Sequence, residues 1–253
     1  MSQGLEFRMH RHISIVLGAA ALSLSALCAA GPADYVYTPA VEYGEREIDF
    51  KAGRANTHDA DQSSAASLGF GYGARPHWFT EFYAKYESQG SGPTHFDAWE
   101  WENRFQLTDT GEYPIDAGFV VELERPQDHS EGYEVRFGPL FQTDFGKVQL
   151  NGNLLFGRHY RAAAGGPMEF GYQWQAKYRW KEAFEFGLQG FGDVGPWDNW
   201  DPADEQSHRF GPAVFGKLPV GVHKAIRYNA ALLHKASSGA PDNTFRMQIE
   251  YEF

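Results

Sequence analysis

The sequence predicts an all-β chain: a single antiparallel up-and-down β-barrel of about twelve strands that spans a membrane and encloses a polar lumen. Three observations predict it. Alternation of apolar and polar residues organises nearly everything from residue 41 onward, the period of a strand whose two faces meet different surroundings. A start containing Arg8, His10, Arg11 and His12 precedes the uncharged stretch ISIVLGAAALSLSALCAA, the pattern of a secretory leader. No later run is long and apolar enough for a membrane helix. Any crossing then falls to strands in a closed barrel, the other structure that satisfies the backbone in hydrocarbon.

The elements follow in order. Residues 1–30 read as a signal peptide, with Cys28 and Ala30 at the small positions before the cut. A lipoprotein cut before Cys28 is disfavoured because Leu27 precedes it. Residues 31–40, GPADYVYTPA, read as a short periplasmic lead-in ahead of the barrel, 41–253, and the sequence leaves open whether part of it folds back into the lumen. Strand one, 41–54, sets Ile48, Phe50 and Ala52 against Glu47, Asp49 and Lys51. Strand two, 66–74, alternates Leu68, Phe70 and Tyr72 with Gly69, Gly71 and Gly73. Strand three is 77–87. Strand four, 96–107, sets Trp99, Trp101, Phe105 and Leu107 against Glu100, Glu102, Arg104 and Gln106. Strand five, 115–124, carries Glu122 on its polar face, and strand six, 132–143, carries Arg136. Strand seven, 148–160, presents Gln149, Asn151 and Asn153. Strand eight, 169–180, is the most regular: Phe170, Tyr172, Trp174, Ala176, Tyr178 and Trp180 oppose Gln173, Gln175, Lys177 and Arg179. Strands nine to twelve are 184–194, 209–218, 224–234 (with Arg227) and 244–253.

The connections are unequal. Those expected on the periplasmic side are mostly short; those on the other side, at 55–65, 88–95, 126–131, 161–168, 195–208 and 235–243, tend to be longer. Short turns on one side and long loops on the other suit a membrane barrel with both termini periplasmic, and a soluble sandwich predicts no such asymmetry.

The cost of exposing charge to lipid orients the faces. An Arg or Lys on the lipid side near the midplane costs about 2–4 kcal/mol. Glu100, Glu102, Arg104, Lys177, Arg179, Arg246, Glu250 and Glu252 share the polar faces of strands four, eight and twelve. Facing lipid, they would consume more than the 5–15 kcal/mol or so that stabilises a typical protein. They must face the lumen, where both signs permit ion pairs. The residues expected to set lumen selectivity are therefore Glu100, Glu102, Arg104, Glu122, Arg136, Gln173, Lys177, Arg179, Arg227, Arg246 and Glu250.

The chain ends FRMQIEYEF, with Phe245, Met247, Ile249, Tyr251 and Phe253 on one face and Arg246, Gln248, Glu250 and Glu252 on the other. This ending resembles the C-terminal strand of bacterial outer-membrane β-barrel proteins, in which a terminal Phe addresses the strand to the insertion machinery. In size and pattern the chain is also similar to transporter-like barrels linked to aromatic-compound catabolism. The resemblance implies the outer membrane of a Gram-negative bacterium, reached through a cleaved leader. The partners it implies are membrane lipid, lipopolysaccharide and the barrel-insertion machinery, met through the strand ending in Phe253.

Composition narrows the function. The net charge of -11, without a Lys/Arg cluster, argues against nucleic-acid binding. Cys28 is the only cysteine, so a chain that loses its leader has neither disulfides nor thiolate metal sites. No cofactor is expected. The first reading is a narrow passive channel for a small solute. The second is a structural or adhesive barrel with an ion-pair-plugged lumen and functional outer loops. The third is a lipid hydrolase resting on His234, Ser237, Ser238 and Asp242; these match no hydrolase motif and equally suit a rim histidine followed by turn residues. The chain is therefore read as a non-enzyme. Six histidines, His58, His95, His129, His159, His208 and His234, fall in or beside the long loops. With Asp198, Asp201 and Asp204, His208 suggests a metal-concentrating outer mouth; ordinary loop residues are the alternative.

Overall fold

The computed structural model describes residues 31–57 and 60–253, so the expected leader lies outside the described residues. The strands are β1 (Arg46–Thr57), β2 (Ala60–Arg75), β3 (Trp78–Gln89), β4 (His95–Gln106), β5 (Asp116–Pro126), β6 (Tyr133–Phe145), β7 (Val148–Tyr160), β8 (Glu169–Lys181), β9 (Phe184–Pro196), β10 (Ser207–Gly221), β11 (Lys224–Lys235) and β12 (Asn243–Glu252). They form one closed antiparallel barrel in chain order. β1 closes it against β12, from Glu47 opposite Glu252 to Asn56 opposite Asn243. Among the described residues no free sheet edge is left for stray pairing.

Burial is inverted relative to a water-soluble protein. Phe82 and Trp101, outside the wall, are 51% and 47% exposed, whereas Asp49, Glu102 and Arg246 are no more than 1% exposed. The alternation expected for strands one, four, seven and eight places the anticipated sets on opposite faces. The apolar exterior suits hydrocarbon, and the polar groups face one another inside.

Three expectations change. β1 begins at Arg46, not residue 41. Gly44, with φ +83°, helps turn the chain at 42–45, where Gly44 N–H donates to the Gly73 carbonyl at 2.9 Å. The expected loop 55–65 is mostly strand, because β1 and β2 continue pairing to Thr57 opposite Ala60. Ladder hydrogen bonds need no apolar side chains, so the polar ends of both strands extend the wall. The largest change concerns 31–40. This segment is no lead-in outside the barrel but runs within it, with Tyr35, Val36 and Tyr37 all buried.

The ends remain unequal. Four links at the end that holds Phe253 have two residues each, while the fifth spans 107–115. At the opposite end, links such as 161–168 and 197–206 are long.

Candidate functional site in the barrel lumen

The wall makes room for the amino-terminal segment through glycine. Side chains at Gly53, Gly73 and Gly118 would meet the Pro32 carbonyl, the Glu42 carbonyl and the Pro39 ring, respectively. The missing Cβ atoms let backbone pass against backbone. The segment thus runs from Gly31, near the long-loop end, to the turn at 42–45 near the short-turn end, and then enters β1.

Alternation within the segment presents two surfaces. Val36 joins Phe191, Ala213, Phe215, Ala231 and Leu233 in an apolar cluster. Tyr35 and Tyr37 pack with Val120, Leu140 and Leu155. Their hydroxyls donate to carboxylates: Tyr35 to Glu102 Oε2 at 2.6 Å, and Tyr37 to Glu122. The Lys51 ammonium lies 3.6 Å from the Tyr35 ring centre and 3.7 Å from that of Tyr83, with Asp49 at 3.3 Å. Tyr83 in turn donates to Asp49 at 2.8 Å. A buried lysine is tolerable in such a cage because two ring faces and a carboxylate replace its water.

One side of the lumen is ionic. Arg104 meets Glu102 at 3.0 Å and Glu47 at 3.8 Å. Arg136 meets Glu122 at 3.7 Å, Glu134 at 3.5 Å and Asp34 of the segment at 3.5 Å. Lys85 pairs with Glu100 at 3.0 Å and with Glu124. The other side is a belt of amides. Asn151 donates to Gln142, Gln175 to Asn151 and Gln189 to Gln175, while Arg246 donates to Gln189 at 2.6 Å. Asn153 donates to Gln173 at 3.2 Å and to the Tyr37 carbonyl at 3.1 Å, joining belt to segment.

Open space remains at both ends. The short-turn end holds a cavity of about 670 Å³, bordered by Glu47, Arg104, Lys177, Lys217, Arg227 and Glu250 among others. Toward the long-loop end, about 270 Å³ lies among Lys85, Glu100, Glu124, Glu134, Arg136 and His159. Tyr35 borders both cavities, and Tyr37 the second. At the long-loop rim, partial burial and the Asp128 and Asp97 carboxylates push the Glu131 carboxyl up. Burial likewise pushes up that of Glu45, at the opposite turn.

The sequence-derived lumen residues separate into groups. Glu100, Glu102, Arg104, Glu122, Arg136, Gln173 and Arg246 surround or approach the segment. Lys177, paired with Glu185 at 3.1 Å, and Glu250, bonded by Gln248 at 2.7 Å, border the larger cavity. Arg227 pairs with Glu252 near the short-turn rim, and Arg179 reaches Asp144 at 3.1 Å while part-exposed. Reasoning from sequence missed Tyr35, Tyr37, Lys51, Tyr83 and Lys85 as lumen-organising residues. The signal was present: glycines at 53, 69, 71 and 73 mark places where something approaches the wall closely.

The proposed metal set is not gathered. His208 meets Tyr172 and Gln206 through its two ring nitrogens, at 2.9 Å each. Among the described residues, the carboxylate group compact enough for an ion is Glu100, Glu102 and Glu122, rather than Asp198, Asp201 and Asp204. The hydrolase candidates also point elsewhere. His234 meets Asn243 at 2.7 Å, Asp242 pairs with Lys235, and the Ser237 hydroxyl donates to the Gln206 carbonyl at 2.6 Å.

No protein-family model matches the chain, and no curated protein matches it. Among solved structures, it superposes on the COG4313 outer membrane channel from Pseudomonas putida F1 with a TM-score of 0.56 at 12% identity, covering 87% of this chain and 98% of that one. The fold is that of bacterial outer-membrane barrels. The NanC porin gives 0.51 at 10% identity, over 81% of this chain and 98% of its own. The translocator domain of the autotransporter NalP from Neisseria meningitidis gives 0.51 at 9%, over 84% and 88%. At these identities the likeness carries the architecture.

Proposed function

We propose that the protein is an outer-membrane barrel acting as a narrow passive channel for a small solute, closed at rest by residues 31–45. The observation that carries this reading is the division of the lumen: open space at each end is separated by Tyr35, Val36 and Tyr37, which belong to a chain segment rather than to the wall. A wall-filled barrel has only strand side chains in its centre; this one has a separate chain segment there. Mixed-charge rims and a half-ionic, half-amide wall suit a small polar or mixed-polarity solute. Export by leader cleavage, insertion through the strand ending in Phe253, and a surround of lipid and lipopolysaccharide belong to the same reading.

The tight packing of the segment favours a second reading, a structural barrel whose outer loops do the work. Swelling of solute-loaded proteoliposomes separates the two. The channel reading expects slow uptake by the intact chain and faster, size-limited uptake once residues 31–40 are deleted. Equal impermeability of both forms, with the deleted form shown to be folded, supports the structural barrel.

A further inference from the structure

Gly31 lies inside the barrel near the long-loop end. Arg209 donates from Nη2 to its carbonyl at 2.9 Å, and the Asp34 backbone N–H reaches the same oxygen at 3.2 Å. Gly31 and Pro32 border a cavity of about 310 Å³ whose other walls include Asp193, Asp201, Glu205 and Arg209. Asp193 is 8% exposed. Its Oδ1 accepts from the Gly195 N–H at 3.1 Å, but its buried Oδ2 has no hydrogen-bond donor. The Asp201 carboxylate packs against Gly195, beside it. A buried carboxylate oxygen without a donor is unfavourable, and the three carboxylates here outnumber the one guanidinium, that of Arg209, so the wall suits a further cation.

Gly31 is also the residue that a cut after Ala30 would convert into a free ammonium, a compact cation with three donors. We propose that the processed amino terminus is itself the ligand of this cavity: the Gly31 ammonium pairs with Asp193 and Asp201 and anchors the free end of residues 31–45 at the long-loop mouth. A lipid anchor on Cys28 in the leaflet at the short-turn end is out of reach of this position. Three residues, from Gly31 back to Cys28, extend at most about 11 Å. The leaflet at the short-turn end lies across an apolar band roughly 25 Å tall. Acyl chains on Cys28 could not enter it while Gly31 holds this position.

The inference does not depend on whether the lumen conducts, and its test uses no conductance. The full-length gene is expressed with its leader, and the protein is recovered from outer membranes. Intact mass and N-terminal sequencing are expected to give a chain starting at Gly31. An acylating reagent applied at neutral pH labels free α-amines in preference to lysine, whose ammonium titrates far higher. The Gly31 amine in the folded barrel should label about tenfold or more slowly than in the denatured chain, as one unit of amine stabilisation implies. Asp193→Asn combined with Asp201→Asn should remove that protection, while Asp198→Asn should retain it. A start elsewhere, a lipid on Cys28, or equal labelling of folded and denatured wild-type chain would overturn the proposal. Unchanged protection in a folded double variant would overturn the assignment to these carboxylates. Should the double variant not fold, the single variants Asp193→Asn and Asp201→Asn test the carboxylates, and the wild-type comparison still decides whether the amine is held in the barrel.

Discussion

Lys51 shows how a charge survives at the centre of this lumen. The ring faces of Tyr35 and Tyr83 and the Asp49 carboxylate surround it, and one of those rings belongs to the segment. Replacing Lys51 by Met should cost about 3–5 kcal/mol, the usual penalty for breaking a buried pair from one side. The check is the urea midpoint of barrel unfolding, which should fall. Tyr35→Phe is milder. It removes the donor to Glu102 and should cost about 1–3 kcal/mol, with a correspondingly smaller fall. Gly53 tests the fit of the segment to the wall. A valine there would overlap the Pro32 carbonyl while leaving the ladder of β1 intact. Gly53→Val is therefore expected to fold into a barrel with faster solute uptake. Gly152→Ala, at a position with nothing within 4 Å of the new methyl, should match the wild type.

The strands were legible because one physical contrast, lipid outside and polar lumen inside, writes itself into every second residue. Where the contrast is strong the bounds agree closely, as for β7 at Val148–Tyr160 and β8 at Glu169–Lys181. Where it fades, they do not. The polar ends of β1 and β2 extend the wall beyond the apolar pattern. The start of β1 moved because the apolar positions change parity between Tyr43 and Ile48, across the turn at 42–45. Outward residues near mid-strand should tolerate charge poorly. Leu188, 45% exposed on the apolar exterior, is such a position, and Leu188→Arg should cost about 2–4 kcal/mol. Cold and boiled samples on a gel should show less folded, fast-migrating barrel. The terminal strand makes a separate prediction. Phe253 stacks on Tyr251 at 5.6 Å, and its N–H donates to the Arg46 carbonyl at 2.9 Å. Phe253→Ala should slow assembly in cells, read as a delayed appearance of the folded form after a synthesis pulse.

At the scale of the whole molecule, the lumen is an ionic half facing an amide half, with a strand-like segment between them. The sequence supplied the wall residues, including Glu100, Glu102, Arg104, Glu122 and Arg136, through the cost of placing them in lipid. It left the place of the segment open, because the two prolines of GPADYVYTPA suggest a linker and DYVYTP lacks the alternation of a wall strand. Its place follows from contacts far along the chain: Tyr35 with Glu102, Tyr37 with Glu122, and Pro32 against Gly53. Lumen-facing glycines were the local trace of those contacts. In the proposed channel this segment, not the wall, closes the pathway. Single-channel recording in a planar bilayer tests it most directly, comparing the wild-type chain with a Tyr35→Ala, Tyr37→Ala double variant verified as folded. The wild type is expected to show brief or rare openings and the variant steady, larger ones. Identical currents from the two proteins would contradict it.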